Sequence, residues 1–218
     1  MSHPLSARLF IALELPEELC AELATWARTA SGQLAGRRRE GRHPGAHGAG
    51  EGHGLRLLDP ESMHITICFL GTQPLAEVET LSLVVERCAQ PVRECSLGAP
   101  LWLPPRRPRA LAVEVHDDSH TVGELYNEVL AAVQRAGIVP ADPGHGDGHH
   151  QRHRPLRPHV TVARMRSGAA PTERALPPTP QLSFRPQRLT LYRSWLNPDG
   201  ASYESLASYA TLPLAASG

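Results

Sequence analysis

The apolar residues of this chain fall into short runs that predict β-strands separated by turns. Residues 8–15 form a buried-strand pattern that ends at Pro16. Residues 63–70 and 158–165 carry β-branched side chains at alternate positions, and the first of these strands is expected to end at Gly71. Further strands are predicted over 55–58, 95–103, 110–115, 188–194 and 203–212, the last two joined by a turn at residues 197–200.

Three other segments carry apolar residues at helical spacing. They cover residues 17–30, 76–89 and 119–137. In the last of them Ser119 is the expected N-cap and Gly137 the expected stop. Helices therefore alternate with strands along the chain, although the short strands and the closing hairpin favour antiparallel pairing.

Two polar segments, 36–54 and 142–154, are rich in Gly, His and Arg and carry almost no apolar residues. Such segments bury too little surface to offset the entropy lost on ordering. We therefore predict two mobile loops, each upstream of one of the β-branched strands over 63–70 and 158–165. A lid or a substrate-guiding segment would suit either position.

The mixture of helices and antiparallel strands predicts an α+β fold. With 218 residues the chain is long enough to bury a core of its own. We predict one domain over residues 1–218, built from two similar sheet-and-helix lobes.

The amino-acid composition excludes several classes of enzyme. The formal net charge is +0, so nothing global demands an acidic or nucleic-acid partner, and all 22 basic residues are Arg. Without Lys, the chain cannot form a lysyl-nucleotide or a Schiff base, and it cannot be a Lys-dependent phosphate-loop NTPase. The four cysteines lack zinc-finger spacing, which favours reduced thiols and a cytoplasmic location. No signal peptide or long apolar stretch is found, so no membrane span is expected.

Two short stretches of the chain repeat one pattern. His64 and Thr66 stand two residues apart among β-branched neighbours, and so do His159 and Thr161. Residues two apart on a strand share a face, so each His would lie beside its Thr, roughly 7 Å along the strand. The second copy follows about 95 residues after the first. The repeat predicts an internal duplication in which both strands face one site.

Two imidazoles and two hydroxyls in one cleft suit metal-free cleavage of a phosphodiester. Histidines in opposite protonation states can take a proton from an attacking water and give one to the leaving oxygen near neutral pH. The threonine hydroxyls can donate hydrogen bonds to the non-bridging phosphate oxygens as negative charge develops. The symmetry of the two motifs does not decide which histidine has which role.

Three residues near the motifs extend the candidate site. Arg164 lies near the end of the second strand, where its guanidinium could clamp a phosphate. Phe69, at the end of the first strand, could stack on a nucleobase. Cys68 is expected to share the face of His64 and Thr66, with a small packed residue favoured over a reactive thiol.

These stretches resemble the two-histidine (2H) phosphoesterases, and within them the RNA 2′,3′-cyclic phosphodiesterase branch, also called 2′-5′ RNA ligase-like. The resemblance extends from residue 8 to about residue 212. It implies a bilobal, pseudo-symmetric α+β fold, in which two antiparallel-rich sheets with outer helices surround a central cleft. The segments that carry it are 8–13, 63–71, 157–164 and 189–192, in the expected order.

The resemblance also implies an activity and residue roles. The expected reaction is hydrolysis of RNA or oligonucleotide 2′,3′-cyclic phosphate ends to 2′-phosphomonoesters, by a monomer without metal or nucleotide cofactor. The family's usual proton donor corresponds to His64 and its usual proton acceptor to His159. The positions that match phosphate-binding or base-proximal ones are Thr66, Thr161, Arg164 and Phe69.

Three alternatives stay open. The cleft could hold a nucleotide or an RNA end without turnover, or the same acid–base pair could ligate 2′-5′ junctions in the reverse direction. A metal site is the third alternative, but adventitious binding is favoured because the loop histidines lack carboxylate or Cys partners in a rigid frame. Those histidines are His43, His47, His53, His145, His149, His150 and His153.

Overall fold

The computed structural model describes residues 5–40, 54–141, 156–166, 168–171, 175–197 and 200–211. It confirms the α+β class. The helices are α1 (Glu17–Glu40), α2 (Glu77–Cys88) and α3 (Thr121–Arg135), with a single 3-10 turn over Pro60–Ser62. The strands are β1 (Ser6–Glu14), β2 (Leu55–Leu57), β3 (His64–Pro74), β4 (Cys95–Leu103), β5 (Ala110–His116), β6 (His159–Met165), β7 (Ser183–Phe184), β8 (Arg188–Asn197) and β9 (Gly200–Ala210).

Antiparallel pairing connects the strands in the order β7-β4-β5-β6-β3-β1-β8-β9, and β2 pairs with β6. The pairing is shortest in the middle of this order, where β3 and β6 share the single pair Ile65–Val160. We call that pair the seam. It divides the sheet into a first half of β2, β4, β5, β6 and β7 and a second half of β1, β3, β8 and β9. These halves correspond to the two antiparallel-rich sheets that the family resemblance implies.

The hydrophobic core lies between the sheet and the helices. Alternate residues of β1 point into it, and Leu9, Ile11 and Leu13 are each at most 1% exposed. Helix α1 contacts β2 and β6, whereas α2 and α3 pack together near β3. The predicted site residues lie on the other face of the strands.

Helix α1 extends ten residues beyond the predicted segment 17–30. Its apolar stripe continues through Ala30 and Leu34, which are both buried, so packing against the core stabilises further turns. The first residues of the predicted loop 36–54 therefore belong to this helix. The remainder of that loop up to residue 53, and the whole predicted loop 142–154, lie outside the described residues.

The prediction that Ser119 caps α3 is wrong. The Asp117 carboxylate instead accepts hydrogen bonds from the backbone N–H groups of Val122 and Gly123, at 2.9 and 3.0 Å. The Ser119 hydroxyl donates to the same carboxylate at 3.3 Å. The expected stop is confirmed, because Gly137 follows the helix with a φ of 79°, a conformation that glycine adopts without strain.

The predicted end of β3 at Gly71 is also wrong. Gly71 has a φ of 71° and pairs with Leu9 of β1 next to a shift in register, so it forms a bulge inside the strand. Pairing then continues to Ser6–Pro74. A glycine that looks like a strand end in the sequence thus bends the strand without ending it.

Candidate active site

A β-bulge sets the direction of side chains in β3. The pairing with β1 skips Ile67, and both Ile67 and Cys68 are buried, at 3% and 5% exposure. Strict alternation from His64 would turn Phe69 away from the cleft. After the bulge, Phe69 is half-buried on the same face as His64 and Thr66.

The second His-x-Thr strand contains a bulge at the same motif position. The pairing of β6 with β5 skips Val162, and both Val162 and Ala163 are fully buried. Arg164 consequently returns to the face of His159 and Thr161, where it is exposed. The duplication thus includes an irregularity of the backbone, which brings Phe69 and Arg164 to equivalent positions of the two halves.

Cys68 lies in the core, so the prediction that it shares the face of His64 is wrong. The bulge is the reason, because it places two successive residues on the buried side of the strand. Burial raises the pKa of the Cys68 thiol to about 12, which keeps it protonated. The expectation of a small packed residue is therefore confirmed, and all four cysteines are buried free thiols.

Both histidines are held by a backbone carbonyl two residues earlier. His64 Nδ1 lies 2.8 Å from the Ser62 carbonyl oxygen, and His159 Nδ1 lies 2.8 Å from that of Arg157. A carbonyl oxygen only accepts hydrogen bonds, so each Nδ1 carries a hydrogen and donates it. In the neutral ring this leaves Nε2 as the basic nitrogen, and both imidazoles can exchange a proton there.

Burial lowers the pKa of His64 to about 4. The hydrogen bond to the Ser62 carbonyl favours the charged ring and opposes this effect, whereas the positive charges of Arg164 and His159 lower the pKa further. Both of these groups belong to the other half of the sheet. His64 is therefore neutral at neutral pH in the free protein, and its pKa depends on charged groups in the other half of the sheet.

Aromatic rings surround His64. The ring centroid of Phe10 lies 5.0 Å from that of His64, Tyr203 meets it edge-on at 5.3 Å, and Tyr192 stacks on it at 6.0 Å. Phe69 joins this group through Phe10, at 6.3 Å. The sequence pattern did not single out Phe10, Tyr192 or Tyr203, because their approach to His64 depends on the pairing of β1, β3, β8 and β9.

A polar network fixes Tyr192. The Glu14 carboxylate accepts hydrogen bonds from the hydroxyls of Tyr192 and Ser208, both at 3.1 Å, and from that of Thr190. The Arg188 guanidinium lies 3.9 Å from the same carboxylate. Burial, together with the negative charge of Glu14, raises the pKa of Tyr192, so the phenol stays protonated and continues to donate.

A glutamate lies directly across from each histidine. Glu14 pairs with His64 between β1 and β3, and Glu114 pairs with His159 between β5 and β6. The sequence carries a signal for this, since Ile-Ala-Leu-Glu ends at Glu14 and Leu-Ala-Val-Glu ends at Glu114. The alanine of each tetrapeptide pairs with the motif threonine, so these neighbouring strands place nothing larger than a methyl group beside either hydroxyl.

The described residues contain neither a cluster of metal ligands nor a membrane-spanning helix. In that part of the chain, no three His, Cys, Asp or Glu side chains come together as a metal site. The loop histidines considered above as ligands lie outside it. No helix within the same ranges is both long enough and apolar enough to cross a membrane.

Known proteins resemble this chain over nearly its whole length, although no family model matches it. An RNA 2′,3′-cyclic phosphodiesterase of Escherichia coli (strain K12) is 27% identical over 211 residues, which are 96% of this chain and 98% of the relative. The structure of TT0787 of Thermus thermophilus superposes with a TM-score of 0.68 at 26% identity, covering 94% and 97% of the two chains. Escherichia coli LigT, solved in complex with phosphate, has the same fold, with a TM-score of 0.64, 22% identity and coverage of 96% and 98%.

Proposed function

We propose that this protein hydrolyses RNA 2′,3′-cyclic phosphodiester ends to 2′-phosphomonoesters, in line with its resemblance in sequence and fold to an RNA 2′,3′-cyclic phosphodiesterase and to solved relatives. The named activity of the Escherichia coli relative supports this substrate class. The observation that carries the proposal is the matched pair of histidines, each held at Nδ1 by a backbone carbonyl and each with Nε2 available. A single chain supplies both groups, so the reaction requires no second subunit.

The proposed reaction needs only groups of this chain. His159 Nε2 accepts a proton from water, and the water oxygen attacks phosphorus. The bond between phosphorus and the 3′-oxygen breaks, and His64 Nε2–H donates its proton to that departing oxygen. The phosphate remains on the 2′-oxygen. These roles follow the family resemblance, since the backbone geometry of the two histidines is alike.

Three further side chains would stabilise the charge that develops on the phosphate. The hydroxyls of Thr66 and Thr161 would donate hydrogen bonds to the non-bridging oxygens. Arg164 lies on the same face and would neutralise part of their charge. Together these groups supply both proton transfer and charge stabilisation, so the proposed reaction is metal-independent.

As the proposed donor, His64 must gain a proton before the 3′-oxygen leaves. In the free protein its pKa is lowered to about 4, so the ring is neutral when substrate arrives. The negative charge of a bound phosphate favours the imidazolium and raises that pKa. We therefore propose that His64 takes up its proton together with the substrate.

Phe69 is proposed as the residue next to the terminal base. Its position on the cleft face, among the aromatic rings that surround His64, supports this role. A planar base could stack on it whatever its identity, because every base offers a π-face. Little preference for one base at the terminal position is then expected from this contact.

The test is ring opening of an RNA oligonucleotide with a 2′,3′-cyclic phosphate end. His64→Ala and His159→Ala should each lower kcat/KM by at least about 10²-fold, the lower range for a general acid or base. His120→Asn is a matched control, because His120 is exposed outside the cleft and has a φ of 60°, which asparagine tolerates. Near-wild-type turnover in either alanine variant would refute the two-histidine mechanism.

The products decide between the remaining functions. A 2′-phosphate end supports the proposal, whereas a 3′-phosphate end would contradict it. Joining of the cyclic end to a 5′-hydroxyl oligonucleotide through a 2′-5′ bond would show that the reverse reaction prevails. Tight binding of the cyclic end without ring opening would make the protein a binding module.

A further inference from the structure

An open cleft lies beside the 3-10 turn that precedes the proposed donor histidine. Its volume is about 420 Å³. Ser62, whose carbonyl accepts the hydrogen bond of His64 Nδ1, is one of its lining residues. The cleft combines walls from both halves of the sheet, namely Arg56, Leu57, Leu58, Asp59, Ser62 and Ala201.

Arg56 lies next to the proposed phosphate-binding arginine. It pairs with Arg164 between β2 and β6. Residues paired directly across antiparallel strands project to the same face, so Arg56 shares the face that carries His159 and Thr161. From the proposed position of the reacting phosphate, Arg56 is the cation one strand beyond Arg164.

The Arg56 side chain reaches from the first half of the sheet to the second. Its guanidinium packs so closely on Gly200, the first residue of β9, that no room is left for a Cβ atom there. Among the described residues, no carboxylate forms an ion pair with Arg56, and the Arg56 side chain makes no hydrogen bond. The guanidinium is half-buried and lines the cleft, where an anion from outside can approach its N–H donors.

Asp59 is the acidic residue among those lining the cleft, and its carboxylate interacts with the backbone. Asp59 is exposed, and its carboxylate accepts a hydrogen bond from the Glu61 N–H at 3.2 Å, which caps the 3-10 turn. It makes no ion pair with Arg56. An anion in this cleft would accordingly be held at the Arg56 end.

We propose that Arg56 binds the phosphodiester on the 5′ side of the terminal nucleotide, so that this protein distinguishes RNA ends from cyclic mononucleotides. The inference rests on the proposed function. A terminal RNA nucleotide carries its cyclic phosphate on the 2′- and 3′-oxygens and a phosphodiester on its own 5′-oxygen. Two arginines on one face, in neighbouring strands, match two anions separated by a single ribose.

The experiment compares three substrates that differ only on the 5′ side. They are adenosine 2′,3′-cyclic phosphate, the same nucleotide with a 5′-phosphate, and the adenosine dinucleotide with a 2′,3′-cyclic end. For each of the other two substrates, the measured quantity is the ratio of its kcat/KM to the kcat/KM of adenosine 2′,3′-cyclic phosphate, which has no 5′-phosphate. Arg56→Ala should lower this ratio at least about tenfold for both other substrates, the scale of a lost charge-assisted hydrogen bond. Arg56→Lys, which keeps the charge but not the planar fork, should lose less.

Arg87→Ala is the matched control, because Arg87 is exposed in the last turn of α2 and should leave every ratio unchanged. Unchanged ratios in both Arg56 variants, with active wild-type protein, would overturn the inference alone. A loss confined to the dinucleotide would also overturn it, since the contact would then be to the upstream nucleoside. If the wild type opens none of the three rings, the proposed function fails and the inference fails with it. Thermal unfolding of Arg56→Ala checks its fold, and Arg56→Lys provides the comparison if the alanine variant is unstable.

Discussion

The two histidines have the same backbone setting but different neighbours. Each donates from Nδ1 to a carbonyl two residues earlier and faces a glutamate across a strand pair. Aromatic rings pack around His64, which disfavours its charged form, whereas the strand of His159 carries the exposed Arg164. Similar backbone settings thus hold two imidazoles with different surroundings, and the proposed opposite proton-transfer roles depend on such a difference.

We expect the ring of His64 to titrate near pH 4 in the free protein, because burial lowers its pKa to about 4. NMR observation of the histidine ring carbons across pH 3.5–8, with His64→Gln to assign the signal, measures this directly. Addition of inorganic phosphate should raise the pKa, since an anion in the cleft favours the imidazolium. A His64 pKa near 6.5 in the free protein would contradict the prediction.

The same titration should appear in the stability of the fold. An unfolded histidine has a pKa of about 6.5, so between that pH and about 4 the unfolded state binds more protons than the native state. The contribution of a neutral His64 is thus fully present above about pH 6.5 and is lost as the pH falls towards 4. Urea unfolding at several pH values should show a smaller loss for His64→Gln than for the wild type. Parallel curves for the two proteins would speak against it.

At the scale of elements, the alternation of side chains along a strand predicts which face a residue occupies only as far as the first bulge. Strand periodicity correctly indicates that His64 and Thr66 share a face, because both precede the irregularity. Beyond it the same rule places Cys68 in the cleft, whereas the structure buries it. The bulge depends on how β3 pairs with β1, a contact between residues far apart in the sequence. Local periodicity carries no information about it.

Helix ends show a similar division between local and distant causes. The stop at Gly137 is predicted from the sequence because it depends on the backbone freedom of one residue. The cap of α3 is not, since Asp117 reaches past Ser119 only through the turn at His120, whose φ is 60°. The length of α1 is likewise set by burial of Leu34 in the core, which a weak sequence pattern does not reveal.

Asp117→Ala should lower the free energy of unfolding by about 1 kcal/mol, within the range of about 0.5–2 kcal/mol for a lost N-cap. The reason is that two backbone N–H groups at the start of α3 lose their acceptor. Chemical denaturation measures the change. Asp118→Ala is the matched control, because Asp118 is the exposed neighbour and should stay within about 0.5 kcal/mol of the wild type. Equal losses in the two variants would contradict a capping role for Asp117.

At the scale of the whole molecule, the seam explains why the two His-x-Thr motifs lie side by side. The two halves are joined by the pair Ile65–Val160, and both residues are fully buried. Each is flanked by its motif histidine and threonine on the other face, so the single contact between the halves also brings the two motifs together. The repeated motif predicts a shared site from the sequence. The position of that site, and the reach of Arg56 across it, depend on this long-range pairing.

Exhaustive chelation should leave ring opening within about twofold of its original rate. The proposed chemistry needs a proton acceptor, a proton donor and charge stabilisation, and in the proposed function the two histidines, the two threonines and Arg164 supply all three. The histidines of residues 41–53 and 142–154 can still bind zinc or nickel adventitiously, so metal content has to be measured beside activity. Replacing His43, His47 and His53 with glutamine should lower the bound metal without changing the rate.

Loss of activity on chelation would contradict this prediction. If chelation abolishes turnover and zinc alone restores it, metal-assisted hydrolysis replaces the two-histidine mechanism. Loss of activity in the glutamine variant would then identify one polar segment as the source of ligands. Retention of activity by both the chelated protein and the variant would leave the paired histidines as the proton-transfer groups, because water attack near neutral pH still needs a base and the departing 3′-oxygen still needs an acid.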